Sequence, residues 1–490
     1  MNASLMGLEI GVLVLALGIL LLDLWVPVEN RRKLGYVAAI GLGLILLSSF
    51  LKPPFLLTFH DVGITFHQPL FAFGESYVLD DLALFFKRFF LLAAMIVLVM
   101  SAEFAGRLET GISEFYSLIL FALAGMMFAA SANDFAMLFV SIELITITFY
   151  VLTSFQRHRL SSLEAGIKYL ILGALASAFL VYGIALIYGT ARTMSFVQLM
   201  EKARAVAGQP LFLMGLLLVV TGLAFKIAAF PLQIWAPDVY QGSPAPATAF
   251  LAVGSKAAGF VLLLRVLFGA LPFEIIARWK LLLMMMSAVT ILYGSLCAIP
   301  QRNLKRLLGY SSIANAGYLL LGVAALSAAG KVAILFYLGS YLFTLLAAFT
   351  VICAILRVTE TEDITALAGL NQRSPLLASA MTLAMISLAG VPPLAGFFGK
   401  FLLFKAVLEQ GPAYYWLMSV AILGVMISIY YYFGIIRAIY WSKEPVDLSP
   451  LEVSLPLRFS LVSCVAGMLF LGVYPSVVLN WASSAFASWR

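Results

Sequence analysis

Four charged residues stand where a chain this apolar should carry none. Glu143 lies centrally in "DFAMLFVSIELITITFYVL" and Lys226 in "GLAFKIAAFPLQIWAPDVYQG". Lys256 is midway along "TAFLAVGSKAAGFVLLL", and Lys400 sits in "LAGVPPLAGFFGKFLLFKAVL". A charge at the centre of a membrane-spanning helix costs about 2.5–3.5 kcal/mol on insertion scales, so the four together oppose insertion by roughly 10 kcal/mol unless they pair or meet water. A single Lys–Glu pair could be a structural clip between two helices. Three lysines against one glutamate cannot all be neutralised in that way. Burial disfavours the charged amine and a nearby carboxylate favours it. A lysine held between those two influences is suited to taking up and releasing protons, the usual role of ionisable groups inside a membrane.

The backbone beside two of these lysines is interrupted. Pro231 and Pro237 follow Lys226, and Pro392 and Pro393 precede Lys400, with Gly390, Gly396 and Gly399 flanking the second break. A spanning helix tolerates proline where the freed carbonyls find partners in protein or internal water. An isolated proline could be a simple kink. Two breaks beside two buried lysines, in two halves of the chain, match the pattern of transporters built from inverted repeats, with the site at the break. Unwinding at each break is expected to leave polar backbone at mid-membrane that holds water against the lysine.

The elements that must position these groups are membrane spans. The chain has 490 residues, of which 63% are hydrophobic and 11% charged, and its mean hydropathy is +1.05. A soluble protein of this size carries about a quarter charged residues. The fold class expected is an all-α polytopic membrane protein of about fourteen transmembrane helices, near 5–27, 34–51, 79–101, 113–132, 134–154, 164–190, 211–237, 244–268, 276–299, 304–326, 332–356, 376–409, 413–440 and 456–481. The first of these reads as a retained span rather than a signal peptide. The connection 52–78, around "HDVGIT", reads as an extramembrane hairpin, and 192–208 as a short amphipathic surface helix. Four regions follow: 1–112 with three helices and the hairpin; 113–268, a first five-helix repeat; 269–441, a second; and 442–490, a loop and the last helix. Five is odd, so the second repeat starts on the opposite face and is inverted, and in each the fourth helix is the broken one.

Arg31, Arg32, Lys33, Arg107, Arg157, Arg159, Arg302, Lys305, Arg306, Arg357, Arg373, Arg437 and Lys443 fall on one side of this arrangement, the cytoplasmic side by the positive-inside rule. Lys202 and Arg204 run against it. The charge of +7 resides mostly in these loops and does not point to nucleic acid. The three cysteines (Cys297, Cys353, Cys464) are far apart, and His60, His67 and His158 lie in or beside polar connections, which leaves iron–sulfur and haem ligation unsupported. Lys168, four residues after Glu164, is explained by a helical ion pair. Asp134 reads as a helix cap, Lys405 as snorkelling and Met284–Met286 as core filler. Lys87 and Arg88 lie inside the third span with no role assigned.

The segments "SIELITITFYVL", "LEAGIKYLILGALASAFLVYG", "FKIAAFPLQIWAPDVYQGSPAPATAFLAVGSKAAGF" and "RNLKRLLGYSSIANAGY" resemble the antiporter-like subunits of respiratory complex I, and among them the subunit N group. The likeness runs from about residue 120 to 405. "WAPDVYQGSPAP", followed ten residues on by Lys256, separates this group from its sister subunits. The resemblance implies a proton path across the middle of the membrane. Glu143 and Lys226 would form a coupling pair, Lys256 a central relay and Lys400 an outlet-side relay, with Lys168 modulating Glu143. It also implies partners in the other membrane-arm subunits, with NADH, FMN, iron–sulfur clusters and quinone bound by partner subunits. No cofactor or metal is expected in this chain, which carries no glycine-rich dinucleotide fingerprint. A cation/proton antiporter or membrane-bound hydrogenase subunit is the alternative of the same class, and a non-transporting scaffold the alternative of a different one.

Overall fold

A computed structural model describes residues 3–51, 69–108, 111–359, 361–441 and 449–487. The long helices, in chain order, are α1 (Gly7–Asp23), α2 (Arg31–Ser48), α3 (Asp81–Phe104), α4 (Ile112–Ala130), α5 (Phe135–Thr153), α6 (Leu160–Ala191), α7 (Phe196–Val206), α8 (Pro210–Ile227), α9 (Trp235–Gly242) and α10 (Ala245–Gly269). After these come α11 (Lys280–Ala298), α12 (Leu304–Ala324), α13 (Ala328–Leu356), α14 (Pro375–Ala389), α15 (Ala395–Leu408), α16 (Tyr415–Trp441) and α17 (Leu455–Val473). Twelve helices among the described residues are long and apolar enough to cross a bilayer. Of the fourteen spans expected, the two outside that set fall on α2, which begins with three basic residues, and on α14 and α15, each shorter than a bilayer requires.

Local chemistry sets the boundaries. Asp80, Asp134, Asn303 and Ser327 cap the starts of α3, α5, α12 and α13 by accepting backbone N–H bonds, so Asp134 has the role its sequence position suggests. Pro210 and Pro375 occupy first positions, where a missing N–H costs nothing. The helix expected within 192–208 is α7, which buries Phe196, Leu199, Ala203 and Val206. Strands β1 (Leu70–Ala72) and β2 (Tyr77–Leu79) form an antiparallel hairpin with Phe71 opposite Val78. The "HDVGIT" stretch, with His60 and His67, lies outside the described residues, as do Lys52 and Lys443.

Helices α10, α12 and α13 form the centre, α10 being buried from Ala245 to Leu267, while α1 and α6 lie largely at the periphery. Of the three consecutive methionines Met284 is buried in the core and Met286 packs against it, while Met285 is exposed, so the stretch is not uniformly filler.

Lys87 proves to be a clip. Its ammonium is 2.8 Å from Glu9 of α1, both fully buried, and donates to Tyr77 Oη at 2.6 Å, which itself donates to Glu9 at 2.9 Å. Arg88 donates to Ser49 O at 2.7 Å, closing the end of α2. Arg265 makes a bidentate pair with Asp80 at 2.8 and 3.1 Å.

The basic loops gather on the other face. Glu362 accepts from Arg159 at 2.8 Å and lies 2.9 Å from Lys305, and Glu103 joins Arg32 and Arg357, each at 2.8 Å. Lys305, grouped with the loop cations by its position, is in fact buried and also donates to Ser243 O at 2.8 Å. Burial alone would raise the Glu362 carboxyl, but Lys305 and then Arg159 outweigh it and hold the group below the ordinary carboxylate value.

Two outcomes follow from these ion pairs. Because the folded carboxyl of Glu362 is depressed, its contribution is complete above the unfolded value of about 4.3 and is lost as pH falls below it. The gap in melting temperature between the native chain and Glu362→Gln should therefore be full at pH 7 and narrow progressively as pH falls below about 4. Glu9→Leu should destabilise by about 3–5 kcal/mol by leaving Lys87 buried without its carboxylate, whereas Glu9→Leu with Lys87→Met should recover most of that loss in the same melting assay.

Candidate functional site

Lys226 occupies the last turn of α8 and is buried. The helix ends at Ala228, which is left-handed (φ 57°), and Pro231 lies in the gap before α9. Pro237 is inside the first turn of α9 and breaks nothing. The groups freed at this break are satisfied locally. Trp235 Nε1 donates to Phe225 O at 3.1 Å and Phe230 N donates to Thr290 Oγ1 at 3.0 Å. The ammonium of Lys226 reaches α5 instead and donates to Thr146 Oγ1 at 2.8 Å. At the first break, then, the lysine is bonded to a side-chain hydroxyl of a neighbouring helix rather than to the unwound backbone.

At the second break the lysine bonds the freed backbone directly. Helix α14 ends at Gly390 (φ 84°), Pro392 and Pro393 follow, and α15 carries Lys400. The carbonyls of a helix's last turn lack helical partners and bear the negative end of its dipole. Lys400 Nζ donates to Leu388 O at 2.7 Å and to Ala389 O at 3.5 Å, with the Tyr318 ring centroid 4.8 Å away. A β-carbon on residue 390 would stand 3.1 Å from Lys400 Cδ.

Between the two breaks lies Lys256 on α10, directly after a π-helical turn at Leu251–Ser255. Such turns often mark functional sites in helices. Its ammonium donates to Ser312 O at 2.5 Å and to the Ser312 hydroxyl, which also meets Tyr240 at 2.9 Å and Tyr341 at 3.0 Å. Gly259 lets α10 close on α8: a β-carbon there would meet Ile227 at 2.6 Å and the Lys226 stem at 3.3 Å.

Among the described residues, none of the three ammonium groups has a carboxylate within ion-pair distance. Glu143, partly buried, accepts from Ser177 Oγ on α6 at 2.5 Å and does not touch Lys226. Thr146, which Lys226 does reach, sits one turn along α5 from it. Lys168 pairs with Glu164, as its spacing suggests, and also with Asp238 of α9, each at 2.6 Å. Arg306 holds the same aspartate at 2.5 Å. Lys168 therefore ties α6 to the second half of the broken helix rather than reaching Glu143. Lys405 is exposed, 3.9 Å from Glu409.

Sequence reasoning missed Arg265, Lys305, Asp238 and the hydroxyls around Lys256. A basic residue near a helix end looks like a snorkelling one, and tyrosine in a span looks like packing. The one available signal was "YSSIANAG", with three polar side chains within five residues of a central helix.

Interrupted helices enclosing mid-span lysines define a polytopic membrane protein of the antiporter-like class, and comparison with known proteins agrees. Residues 132–428 match the model of the NADH:quinone oxidoreductase/Mrp antiporter transmembrane family. NADH-quinone oxidoreductase subunit N of Moorella thermoacetica is 39% identical, covering 99% of this chain and 98% of that protein. The subunit N of Heliobacterium modesticaldum is 38% identical over the whole of both. Among solved structures, a chain of respiratory complex I from Thermus thermophilus has 34% identity and a TM-score of 0.77, covering 96% of this chain and 98% of its own. A chain of the Mrp complex from Dietzia sp. shares the fold, with a TM-score of 0.84 at 22% identity over 99% and 97%. The chain belongs to the subunit N family of NADH-quinone oxidoreductases.

Gly390→Ala is expected to lower stability by about 1–3 kcal/mol through its left-handed backbone and to push Lys400 off Leu388 O. A melting-temperature drop that Lys400→Ala partly relieves, measured on purified protein, would register both effects.

Proposed function

We propose that this chain is a proton-translocating membrane-arm subunit of an NADH:quinone oxidoreductase and itself performs no redox chemistry. The observation that carries the reading is the trio of buried ammonium groups held by neutral oxygens alone. An amine solvated by a threonine hydroxyl, a serine and two backbone carbonyls is not locked as a cation by a fixed counter-charge. It can release a proton without stranding a carboxylate. Lys226, Lys256 and Lys400 act as successive proton carriers. Glu143 acts on Lys226 through space, so that movement of α5 or a change in the charge of Glu143 alters how readily Lys226 holds its proton. Lys168, by bracing α9 through Asp238, fixes the half of the broken helix that follows Lys226.

In this reading residues 113–268 and 269–441 are inverted five-helix units, each contributing one interrupted helix. NADH, FMN, iron–sulfur clusters and quinone belong to partner subunits, and the chain sits beside its sister membrane-arm subunits in a bacterial inner membrane, with the basic loops cytoplasmic. The shared fold with the Mrp complex chain favours a second reading, a cation/proton antiporter subunit, which sodium-dependent transport without NADH oxidation would reveal.

The test is the assembled complex in liposomes with Lys226→Ala. Removal of one proton carrier should slow proton transfer through this chain by at least ~10-fold and so lower protons moved per NADH by the share this chain carries. An unchanged ratio would remove Lys226 from the path, and unchanged ratios for Lys256→Ala and Lys400→Ala as well would leave a scaffold.

A further inference from the structure

The face away from the basic loops carries a cleft of about 780 Å³. It is lined by α7, the connection between α10 and α11, the start of α13 and the β-hairpin, and Phe71, Phe196, Phe273 and Leu326 give it apolar walls. Phe71 and Phe273 are exposed. Six charged side chains also line it. Asp80 is paired with Arg265, and Arg204 with Glu274 at 3.0 Å. Two charges are left over. Glu201 on α7 and Lys331 in the first turn of α13 have no ion-pair partner among the described residues. Lys331 is half-buried, its ammonium 5.3 Å from the ring centroid of Phe268 and 5.1 Å from that of Phe486, while Glu201 is exposed. A lysine this close to a helix end ordinarily extends its stem and puts the ammonium in water. Here it turns against two rings, which attract a cation without neutralising it.

We propose that this cleft holds the headgroup of a zwitterionic phospholipid from the adjoining leaflet, with its phosphate on Lys331 and its ammonium on Glu201. The upper acyl chains lie against the apolar walls. The other four charges are matched within the protein, so the ligand answers only the remaining two. Those two are opposite in sign. An anionic headgroup would satisfy Lys331 and repel Glu201, and a cationic ligand would do the reverse; a zwitterion satisfies both. Apolar walls beside the charges favour an amphiphile over free phosphate, which has nothing to place on them. The bound lipid would join α7 to the start of α13 without taking part in proton transfer, so the inference stands apart from the function proposed above.

The experiment places the assembled complex in liposomes carrying a trace of phosphatidylethanolamine with a photoactivatable diazirine high on one acyl chain. A phosphatidylglycerol probe of the same design runs in parallel, and labelled peptides are identified by mass spectrometry. In the native complex the ethanolamine probe is expected to label residues 196–206 and 268–276 in preference to the glycerol probe. Lys331→Gln should lower that labelling roughly 5-fold, the effect of one basic residue on a lipid phosphate. Lys331→Arg should keep it, as should Lys405→Gln, which alters an exposed lysine outside the cleft. Glu201→Gln should abolish the preference between the probes; being an exposed position, it decides the matter alone if Lys331→Gln does not assemble. Native labelling in Lys331→Gln, or a preference unchanged in Glu201→Gln, would overturn the proposal. So would an unlabelled cleft in the native complex, which would assign it to a protein neighbour. Labelling abolished by excess inorganic phosphate would overturn it too, by marking a site for a free anion.

Discussion

A cation buried in a membrane protein is usually answered by an anion, and the centre of this molecule answers three with hydroxyls, a backbone carbonyl of an intact helix and the open end of a broken one. Thr146 holds Lys226, Ser312 holds Lys256, and the final carbonyls of α14 hold Lys400. Each arrangement constrains its surroundings. Lys226 needs α5 and α10 close by, which Gly259 permits. Lys256 needs α12 against α10, which draws Tyr240 and Tyr341 to the same serine. Lys400 needs a helix that stops at mid-span, which Gly390 and the two prolines provide.

The peripheral ion pairs obey a different rule. Glu9–Lys87, Asp80–Arg265, Glu362–Lys305 and Glu103–Arg357 are direct carboxylate pairs at about the same distance, near one face or the other. Removing one partner of such a buried pair is strongly destabilising, so these contacts fasten the ends of the helices. The contrast separates two populations of buried charge: paired with carboxylates near the helix ends, and bonded to neutral oxygens in mid-span.

Much of the fold was legible because membrane spans announce themselves through length and hydropathy. The start of α5 follows from a cap visible as a single residue, Asp134, and the two breaks follow from proline. The three lysines and Glu143 stood out because their cost in lipid is large. Legibility failed where one residue type serves two purposes. Lys305 and Arg265 sit near helix ends, where a basic residue can reach the headgroups, and only the tertiary packing shows that they turn inward. The partner of Lys87 was unreadable, since Glu9 lies 78 residues away in another helix. The two breaks looked equivalent in sequence, yet at the first Trp235 and Thr290 satisfy the freed backbone, and at the second the lysine does so itself. Which partner a freed carbonyl takes depends on geometry that no local pattern encodes.

The central claim is that mid-membrane ammonium groups are solvated by neutral oxygen. The most direct measurement is a density map of the intact complex fine enough to place ordered water. The account predicts Lys226, Lys256 and Lys400 bonded to Thr146, Ser312 and Leu388, with water filling their remaining donor positions. A carboxylate, from this chain or a neighbour, packed dry against any two of the three would contradict it.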